Sequence, residues 1–354
     1  MTGILHWSRA ERVGAARILA AAIGLAVPVV AGAATGHTAE GMTAAMGGLA
    51  MAEVGDTGSV VQRVADVLRC LIAVMAAVVL GTFVTREGVA GAIAMVAAAA
   101  LASALGSTSR EAVKATTKFT IFMAIATYST WPEGGPARMV GAFGAGAVWA
   151  GAVALVLSTA FHLATRATAA AAAPVPASPA TRLPWPERLV RAASRREAWS
   201  YTVRLVAALA AAQAVRAFWP SPHAYWVVVT ASLVVTRATA GAHVRALQRT
   251  LGTMAGVILG TALLASHLAT WAVLAAIALF AGLRPLLKVR NYLVYSAIMT
   301  PLVVLLLEFG RPFEPSILVE RLLATVAGCA IAMAADFVAP ATPREGARPP
   351  QAPL

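Results

Sequence analysis

The sequence predicts an all-α polytopic membrane protein with about twelve transmembrane helices, arranged as two six-helix repeats. Its composition is the first reason, because 59% of the 354 residues are hydrophobic and only 12% are charged. Soluble domains have about 25% charged residues, and the mean hydropathy of this chain is +0.76. Many apolar runs also reach the about 20 residues that cross a bilayer as a helix. The third reason is a glycine pattern that recurs along the chain.

The glycine pattern lies in residues 245–261, where Gly252, Gly256 and Gly260 follow one another at intervals of four. On a helix these glycines form one stripe of small residues. In lipid such a stripe lets two helix backbones pack closely. Arg249 precedes the stripe by one turn on the same side. A basic end that leads into an apolar, glycine-faced helix is typical of the cytoplasmic end of a membrane helix.

A weaker copy of this pattern occurs in the first half of the chain. Shifting the numbering back by 179 places Gly260 on Gly81, within a shared Leu-Gly-Thr. We interpret the match as an internal duplication, which is typical of many transporters. Chance matching in an Ala-rich chain is the alternative. The other matched pairs are Gly252 with Ala73, Gly256 with Ala77 and Gln248 with Arg69.

The first helix is predicted over residues 18–34, with a kink at Pro28. The arginines before it and the Ala-Gly-Ala at 31–33 also fit a cleaved signal peptide. We expect a retained helix, because the apolar run is long and cleavage would remove one helix of the first repeat. The arginines are Arg9, Arg12 and Arg17.

The first repeat is predicted to occupy residues 1–164. Its second segment, 41–54, is rich in Gly and Met and short for a full span, which favours a broken or tilted helix. Helices are predicted at 64–84, 89–105, 115–130 and 139–163. Four glycines make the last of these another candidate for close packing: Gly141, Gly144, Gly146 and Gly151.

Residues 165–198 are rich in Pro, Ala and Arg and predict a cytoplasmic linker, either simply solvated or with a short amphipathic helix near 186–200. The second repeat is predicted at 199–338, and the Pro-rich tail at 339–354 is predicted to be disordered. The helices predicted in the second repeat are 201–219, 225–236, 247–265, 270–283, 292–307 and 317–338.

The arginines and lysines predict the orientation. With both termini in the cytoplasm, most of them fall at cytoplasmic ends, as the positive-inside rule requires. This anchoring accounts for the net charge of +13 better than nucleic acid does, because no interleaved basic and aromatic patch occurs. The exceptions at outer ends are Arg86, Arg138, Arg216, Arg311 and Arg321.

Three blocks of the second half resemble the fusaric acid resistance family, also called the aromatic acid exporter or integral membrane bound transporter family. The blocks are residues 223–230, 245–260 and 290–302, and the resemblance covers about residues 205–335. It implies a bacterial inner-membrane efflux protein whose substrates include aromatic carboxylic acids.

The same blocks contain the candidate residues of a substrate path. Tyr225 and Trp226 follow two prolines at an outer helix start, where they serve as interfacial anchors or stack on an aromatic substrate. Arg245 and Arg249, with Gln248 between them, either anchor the inner end or attract a carboxylate there.

The eleventh predicted helix supplies the remaining path candidates. Asn291 and Tyr292 begin it, and Thr300 and Pro301 lie at its middle. Proline frees a backbone carbonyl, so the helix either breaks beside a cavity or is only kinked.

Acidic residues inside a membrane are candidates for ion coupling, because a buried charge in lipid is costly. Glu53 is the first candidate for a proton carrier, and an interfacial or Arg-paired carboxylate is the alternative. Asp336, near the inner end of the last helix, is the second candidate, and the alternative is that it only faces the cytoplasmic surface. Cys70 and Cys329 fit small packing residues better than a disulfide framework or metal site.

We therefore expect a secondary transporter that exports small organic anions, in contact with the lipid bilayer and with no cofactor, metal or nucleic acid. A homo-oligomer or a periplasmic adaptor protein is a candidate partner. An uncoupled channel or a scaffold subunit of an efflux assembly is the alternative. A membrane-embedded enzyme is disfavoured, because no phosphate-binding loop, zinc motif or catalytic triad pattern occurs.

Overall fold

The computed structural model describes residues 13–52, 54–55, 58–84, 88–128, 135–168, 196–221, 223–235, 242–266, 269–308 and 315–338, with single positions at 7, 187, 190, 194 and 237. The regular structure in these ranges is helical. The helices are α1 (Ala15–Ala34), α2 (Thr38–Met51), α3 (Val60–Phe83), α4 (Gly88–Gly106), α5 (Arg110–Tyr128), α6 (Gly135–Thr168), α7 (Arg196–Phe218), α8 (Tyr225–Val234), α9 (Ala242–Ala265), α10 (Thr270–Arg290), α11 (Tyr292–Glu308) and α12 (Pro315–Val338).

The length and composition of six described helices, α1, α3, α4, α6, α10 and α12, are sufficient to cross a membrane. Large apolar side chains are exposed on the helix surfaces, for example Ile72, Phe83 and Phe218. In water such surfaces would be costly, whereas lipid tails are as apolar as these side chains. The chain is therefore an all-helical, multi-pass membrane protein.

The predicted helices are present, but several of their ends differ. The helices predicted to begin at 115, 201 and 247 each begin five residues earlier, at Arg110, Arg196 and Ala242. The predicted helix 270–283 continues through Pro285 to Arg290, because Phe280, Ala281 and Leu287 are buried on both sides of the proline. Packing there outweighs the lost hydrogen bond of proline. Helix α6 extends to Thr168, four residues into the predicted linker. Most of the linker and the whole tail lie outside the described residues. Of the predicted amphipathic helix near 186–200, residues 196–200 form the start of α7, and seven of the residues before them lie outside the described ones.

The helix contacts follow the same pattern in both halves of the chain. In the first half α1, α2 and α6 pack on one another, and α5 packs on α3 and α4. In the second half α7, α8 and α12 pack on one another, and α11 packs on α9 and α10. Contacts between the halves also occur in matched pairs, since α1 with α10 corresponds to α7 with α4, and α2 with α11 corresponds to α8 with α5.

The predicted glycine stripe lies against α11. A Cβ added to Gly256 would lie 2.5 Å from the Ala297 carbonyl oxygen and 2.7 Å from Thr300 Cβ. The Ala297 carbonyl is the one that Pro301 leaves without a helical hydrogen bond, and the bare Gly256 backbone covers it. In the first half, a Cβ on Gly81 would lie 2.7 Å from Ala126 Cβ on α5. Both seams therefore depend on the absence of a side chain.

Candidate functional site

The two ends of the helix bundle have different polar groups. We call the end with the start of α7 and the finish of α12 the linker end, because both border segments outside the described ranges. We call the opposite end, with the finish of α7 and the start of α8, the far end. Sequence reasoning placed candidate residues at both ends.

Helix α8 is the centre of the polar groups at the far end. Its ten residues, Tyr225–Val234, span about 15 Å, which is half of the hydrocarbon core. All except Leu233 are buried, and the helix packs against α5, α7, α9 and α12. It ends where Val235 becomes extended. A short helix enclosed by others places its first turn inside the protein, below the far end.

Three aromatic rings and two arginines form a continuous row around this first turn. We call this set the aromatic–arginine row. The Arg216 guanidinium lies 4.3 Å from the centre of the Tyr128 ring. The Tyr128 and Tyr225 rings stack at 6.4 Å, and the Tyr225 and Trp226 rings are 5.0 Å apart. At the other end of the row, Arg321 lies 3.7 Å from the Trp226 ring centre.

Gln213 fixes one end of the row. Its Oε1 accepts hydrogen bonds from the Tyr128 hydroxyl at 2.8 Å and from Arg216 Nε at 2.9 Å. Its Nε2 lies 2.8 Å from the sulfur of Met95. The ion pairs found among the described residues do not include Arg216. The guanidinium is thus oriented through Nε.

A carboxylate lies beside the other end of the row. Glu320 precedes Arg321 on α12, and its Oε2 accepts a hydrogen bond from Ser221 Oγ at 2.7 Å. The same oxygen lies 2.8 Å from Nδ1 of His223. These contacts connect the loop before α8 to α12, so they hold the first turn of α8, which includes Trp226, beside Arg321.

The row offers chemistry that suits an aromatic anion. Arginine binds carboxylates through paired, charge-assisted hydrogen bonds, and aromatic rings stack with offset geometry on other rings. The dipole of α8 adds partial positive charge at its first turn, although the N–H groups of Trp226 and Val227 already donate to the carbonyls of His223 and Ala224. Tyr225 and Trp226 have only 7% and 5% of their surface exposed. The structure therefore places them among helices of the bundle.

The path candidates at the linker end are separate from this row. Arg249 is half-buried and interacts with Tyr292 and Tyr295, whose rings stack at 5.6 Å. Arg245 and Gln248 are half-buried on the same helix. The two groups of candidates thus occupy opposite ends of the bundle.

Asn291 has a structural contact that its sequence position did not indicate. Its Oδ1 accepts hydrogen bonds from the backbone N–H groups of Leu293 at 3.0 Å and Val294 at 3.2 Å. This is the geometry of a helix N-cap, and it begins α11 directly after α10. Thr300 and Pro301 are buried, and α11 continues through Pro301 without a break.

Asp336 forms an ion pair at the linker end. Its Oδ1 lies 2.8 Å from Nη1 of Arg204, whose side chain is 2% exposed. Nearby, Arg237 lies 4.3 Å from the Tyr201 ring centre and donates hydrogen bonds to Ser107 Oγ and to the Ser103 carbonyl. Burial lowers the pKa of the Arg237 guanidinium.

The other coupling candidate, Glu53, lies outside the described residues. The described end of α2 contacts a lysine that the positive-inside pattern assigned only to anchoring. Lys118 on α5 donates hydrogen bonds to the carbonyl oxygens of Ala50 at 2.6 Å and Ala52 at 2.7 Å. These carbonyls end helix α2, where a positive charge stabilises the negative end of the helix dipole.

Sequence reasoning missed most of the row. The two arginines were noticed only as exceptions to the positive-inside pattern, and that exception was the available signal. Tyr128 and Gln213 carried no signal of their own, because each lies in an ordinary apolar helix. Glu320 and His223 are 97 residues apart and are brought together by the fold.

Comparison with known proteins bears on the second half of the chain. Residues 206–335 match the family model described as fusaric acid resistance protein-like. This range contains α8, Arg216, Arg321 and the glycine stripe. The searches of curated proteins and of solved structures gave no match. The family match confirms the resemblance read from the sequence, and residues 206–335 are similar to fusaric acid resistance protein-like sequences.

Proposed function

We propose that this protein is a bacterial inner-membrane secondary transporter that exports small organic anions, with aromatic carboxylic acids as the leading class. The observation that carries the proposal is the aromatic–arginine row, where two permanent positive charges lie at the ends of three rings. The family of residues 206–335 supports a transport function.

The row would bind an anion by its ring and its carboxylate together. An aromatic ring would displace or extend the stack formed by Tyr128, Tyr225 and Trp226. The carboxylate would pair with a guanidinium, where low local polarity strengthens the attraction. A neutral aromatic molecule lacks the second contact and would bind more weakly.

We further propose that the chain has twelve spans in two six-helix repeats. The matched helix contacts of the two halves support this arrangement. An even number of spans per repeat would give both repeats the same orientation in the membrane. The short helices α2 and α8 fall at corresponding positions, and short segments at such positions favour a substrate site at the repeat interface.

The linker end is proposed to face the cytoplasm. Most arginines and lysines of the sequence fall at this end, which is typical of cytoplasmic ends of membrane helices. Both termini would then be cytoplasmic, and the aromatic–arginine row would lie toward the outer surface. Anions collected near Arg245 and Arg249 would cross between the repeats to reach it.

Transport by the purified protein tests this proposal. In proteoliposomes with an imposed pH gradient, we expect saturable flux of radiolabelled benzoate, and of cinnamate as a larger ring compound. Substitution Trp226→Leu should reduce this flux at least about tenfold, because it removes the ring between Tyr225 and Arg321. Trp271→Leu is the matched control, since Trp271 is 73% exposed.

Binding is measured separately, because a buried substitution can also weaken the fold. Benzoate should raise the melting temperature of the wild-type protein and of Trp271→Leu, and not that of Trp226→Leu. Equal stabilisation by benzyl alcohol would contradict an anion site. Flux that persists unchanged without a pH gradient would favour an uncoupled channel, and loss of coupling in Glu53→Gln would identify the proton carrier.

A further inference from the structure

A groove of about 810 Å³ lies between α4 and α7, which belong to different halves of the chain. Its walls are mostly small and apolar residues, among them Gly88, Ala92, Ala97 and Ala210. Ala97 and Ala210 are exposed on the surface that faces lipid. The small side chains leave a depression between two helices that otherwise pack together.

One end of the groove is polar. Gln213 and Arg216 line it together with the apolar walls, and both lie at its far end, next to Gly88 at the start of α4. Arg216 Nε is directed to Gln213 and the guanidinium also contacts Tyr128, and the residue lines the groove, so a carboxylate bound there would accept from a terminal nitrogen. A positive charge at one end and an apolar trough along the rest is complementary to an anionic amphiphile.

The length of the groove matches an acyl chain. From Gly88 to Ala100 on α4 the helix rise is about 18 Å. One leaflet contributes about half of a hydrocarbon core that is about 30 Å thick. A chain anchored at Arg216 would therefore extend to about the middle of the bilayer, as the tails of the surrounding lipids do.

The corresponding seam between α1 and α10 is packed. A Cβ added to Gly282 on α10 would lie 3.4 Å from Ala22 Cβ and 3.7 Å from Ile18 Cγ2, which is ordinary contact distance. Equivalent helix pairs thus meet closely at Gly282 and leave a groove at α4 and α7. The groove is consequently a property of these side chains and not of the helix arrangement.

We propose that the groove between α4 and α7 binds a long-chain fatty carboxylate, with its carboxylate on Arg216 and its alkyl chain along Ala210 and Ala97. The volume is that of a site for one drug-sized ligand, which suits a single chain better than a two-chain phospholipid. The paired terminal nitrogens of one guanidinium match a carboxylate. The site shares Arg216 with the aromatic–arginine row but has its own walls on α4 and α7, and the orientation proposed above would place it in the outer leaflet.

Photolabelling tests the site. The purified protein in phosphatidylcholine nanodiscs is exposed to palmitate that carries a diazirine on its chain, and the labelled residues are mapped by mass spectrometry. We expect saturable labelling on α4 and α7. Ala210→Phe, which fills the groove, should reduce it at least fivefold. Ala211→Phe is the matched control, because Ala211 is an exposed neighbour that does not line the groove.

The charge is tested by competition and by substitution at Arg216. Arg216→Gln should weaken palmitate binding about tenfold, the effect of losing a charge-assisted hydrogen bond, and Arg216→Lys should retain more of the binding.

Two outcomes would show that the groove holds only ordinary surrounding lipid. They are equal labelling of the Ala210→Phe and Ala211→Phe proteins, and competition by palmityl alcohol equal to that by palmitate. Stronger competition by phosphatidylglycerol than by palmitate would overturn the fatty carboxylate in favour of a phospholipid. Benzoate binding by Ala210→Phe is expected to be unchanged, which separates this site from the proposed transport site.

Discussion

Helices α2 and α8 occupy corresponding places in the two halves and are built from different residues. Helix α2 packs through glycines, and a Cβ on Gly47 would overlap the carbonyl of Phe143 on α6. Helix α8 packs through aromatic and β-branched side chains, and its first turn forms the centre of the aromatic–arginine row. A side-chain pair also connects each region to the last helix of its half. Glu40 on α2 pairs with Arg138 on α6, and His223 in the loop before α8 pairs with Glu320 on α12.

This comparison indicates that two helices at corresponding positions have different roles, since α2 serves close packing and α8 carries the proposed binding residues. Backbone contact at α2 leaves no room for a ligand, because even one methyl group would collide with the neighbouring helix. At α8 the space is filled by rings and guanidinium groups, which a ligand can displace or extend. Three predictions test the contrast, beginning with the largest expected effect.

Gly146→Ala should disrupt the α2–α6 seam. The added Cβ would overlap the carbonyl of Ala44, so the two helices must separate. We expect the free energy of unfolding to fall by about 3 kcal/mol, at the upper end of the usual cost of overpacking. The loss of stability is measured as a lower melting temperature of the purified variant.

Gly141→Ala on the same helix is the matched control. No atom lies within 4 Å of a Cβ at Gly141 in the described structure. Because alanine also favours a helix over glycine, its melting temperature should be equal to that of the wild type or higher. Equal losses of melting temperature in both variants would mean that α6 depends on the backbone flexibility of its glycines and not on the contact with α2.

Arg321→Lys should weaken benzoate binding about tenfold, as expected when a desolvated cation–π contact is lost. The charge remains, but the planar group that stacks on Trp226 does not. Binding is measured from the benzoate dependence of the melting temperature. Arg138→Lys changes an arginine whose side chain is 52% exposed, next to α2, and should bind as the wild type does. The contrast between the two helices would be wrong if both variants lost affinity equally.

Glu320→Gln should cost about 1 kcal/mol of stability, because its Oε2 serves both Ser221 and His223. Glu40→Gln should cost less, since exposed ion pairs contribute between about 0 and 1 kcal/mol. Urea unfolding in detergent compares the two variants. A larger loss for Glu40→Gln would show that the ion pair at α2, and not the glycine seam, holds that helix.

The sequence predicted the membrane fold and most helix positions, because apolar periods and lengths are local properties. It predicted that α2 would be too short for a full span, but not that its glycines lie against α6. The aromatic–arginine row combines side chains of four helices, and the pairing of such distant positions depends on packing. Arg204 with Asp336 was missed for the same reason, since the two residues are 132 positions apart. The predicted end of α10 at residue 283 was also too early, because burial around Pro285 sustains the helix to Arg290.

The polar contacts of Arg237 have a consequence for movement between the two halves. Arg237 follows α8 and donates hydrogen bonds at 3.0 Å and 2.8 Å to the last turn of α4 and the residues after it, and Ser103 there is also bonded to Thr202 on α7. The groove described above opens at the other end of the same helix pair. Hydrogen bonds therefore hold this boundary at its linker end, whereas toward the far end the two helices are joined by the Gln213–Met95 contact and by apolar packing beside the groove. We expect any relative displacement of α4 and α7 to be smallest around Ser103.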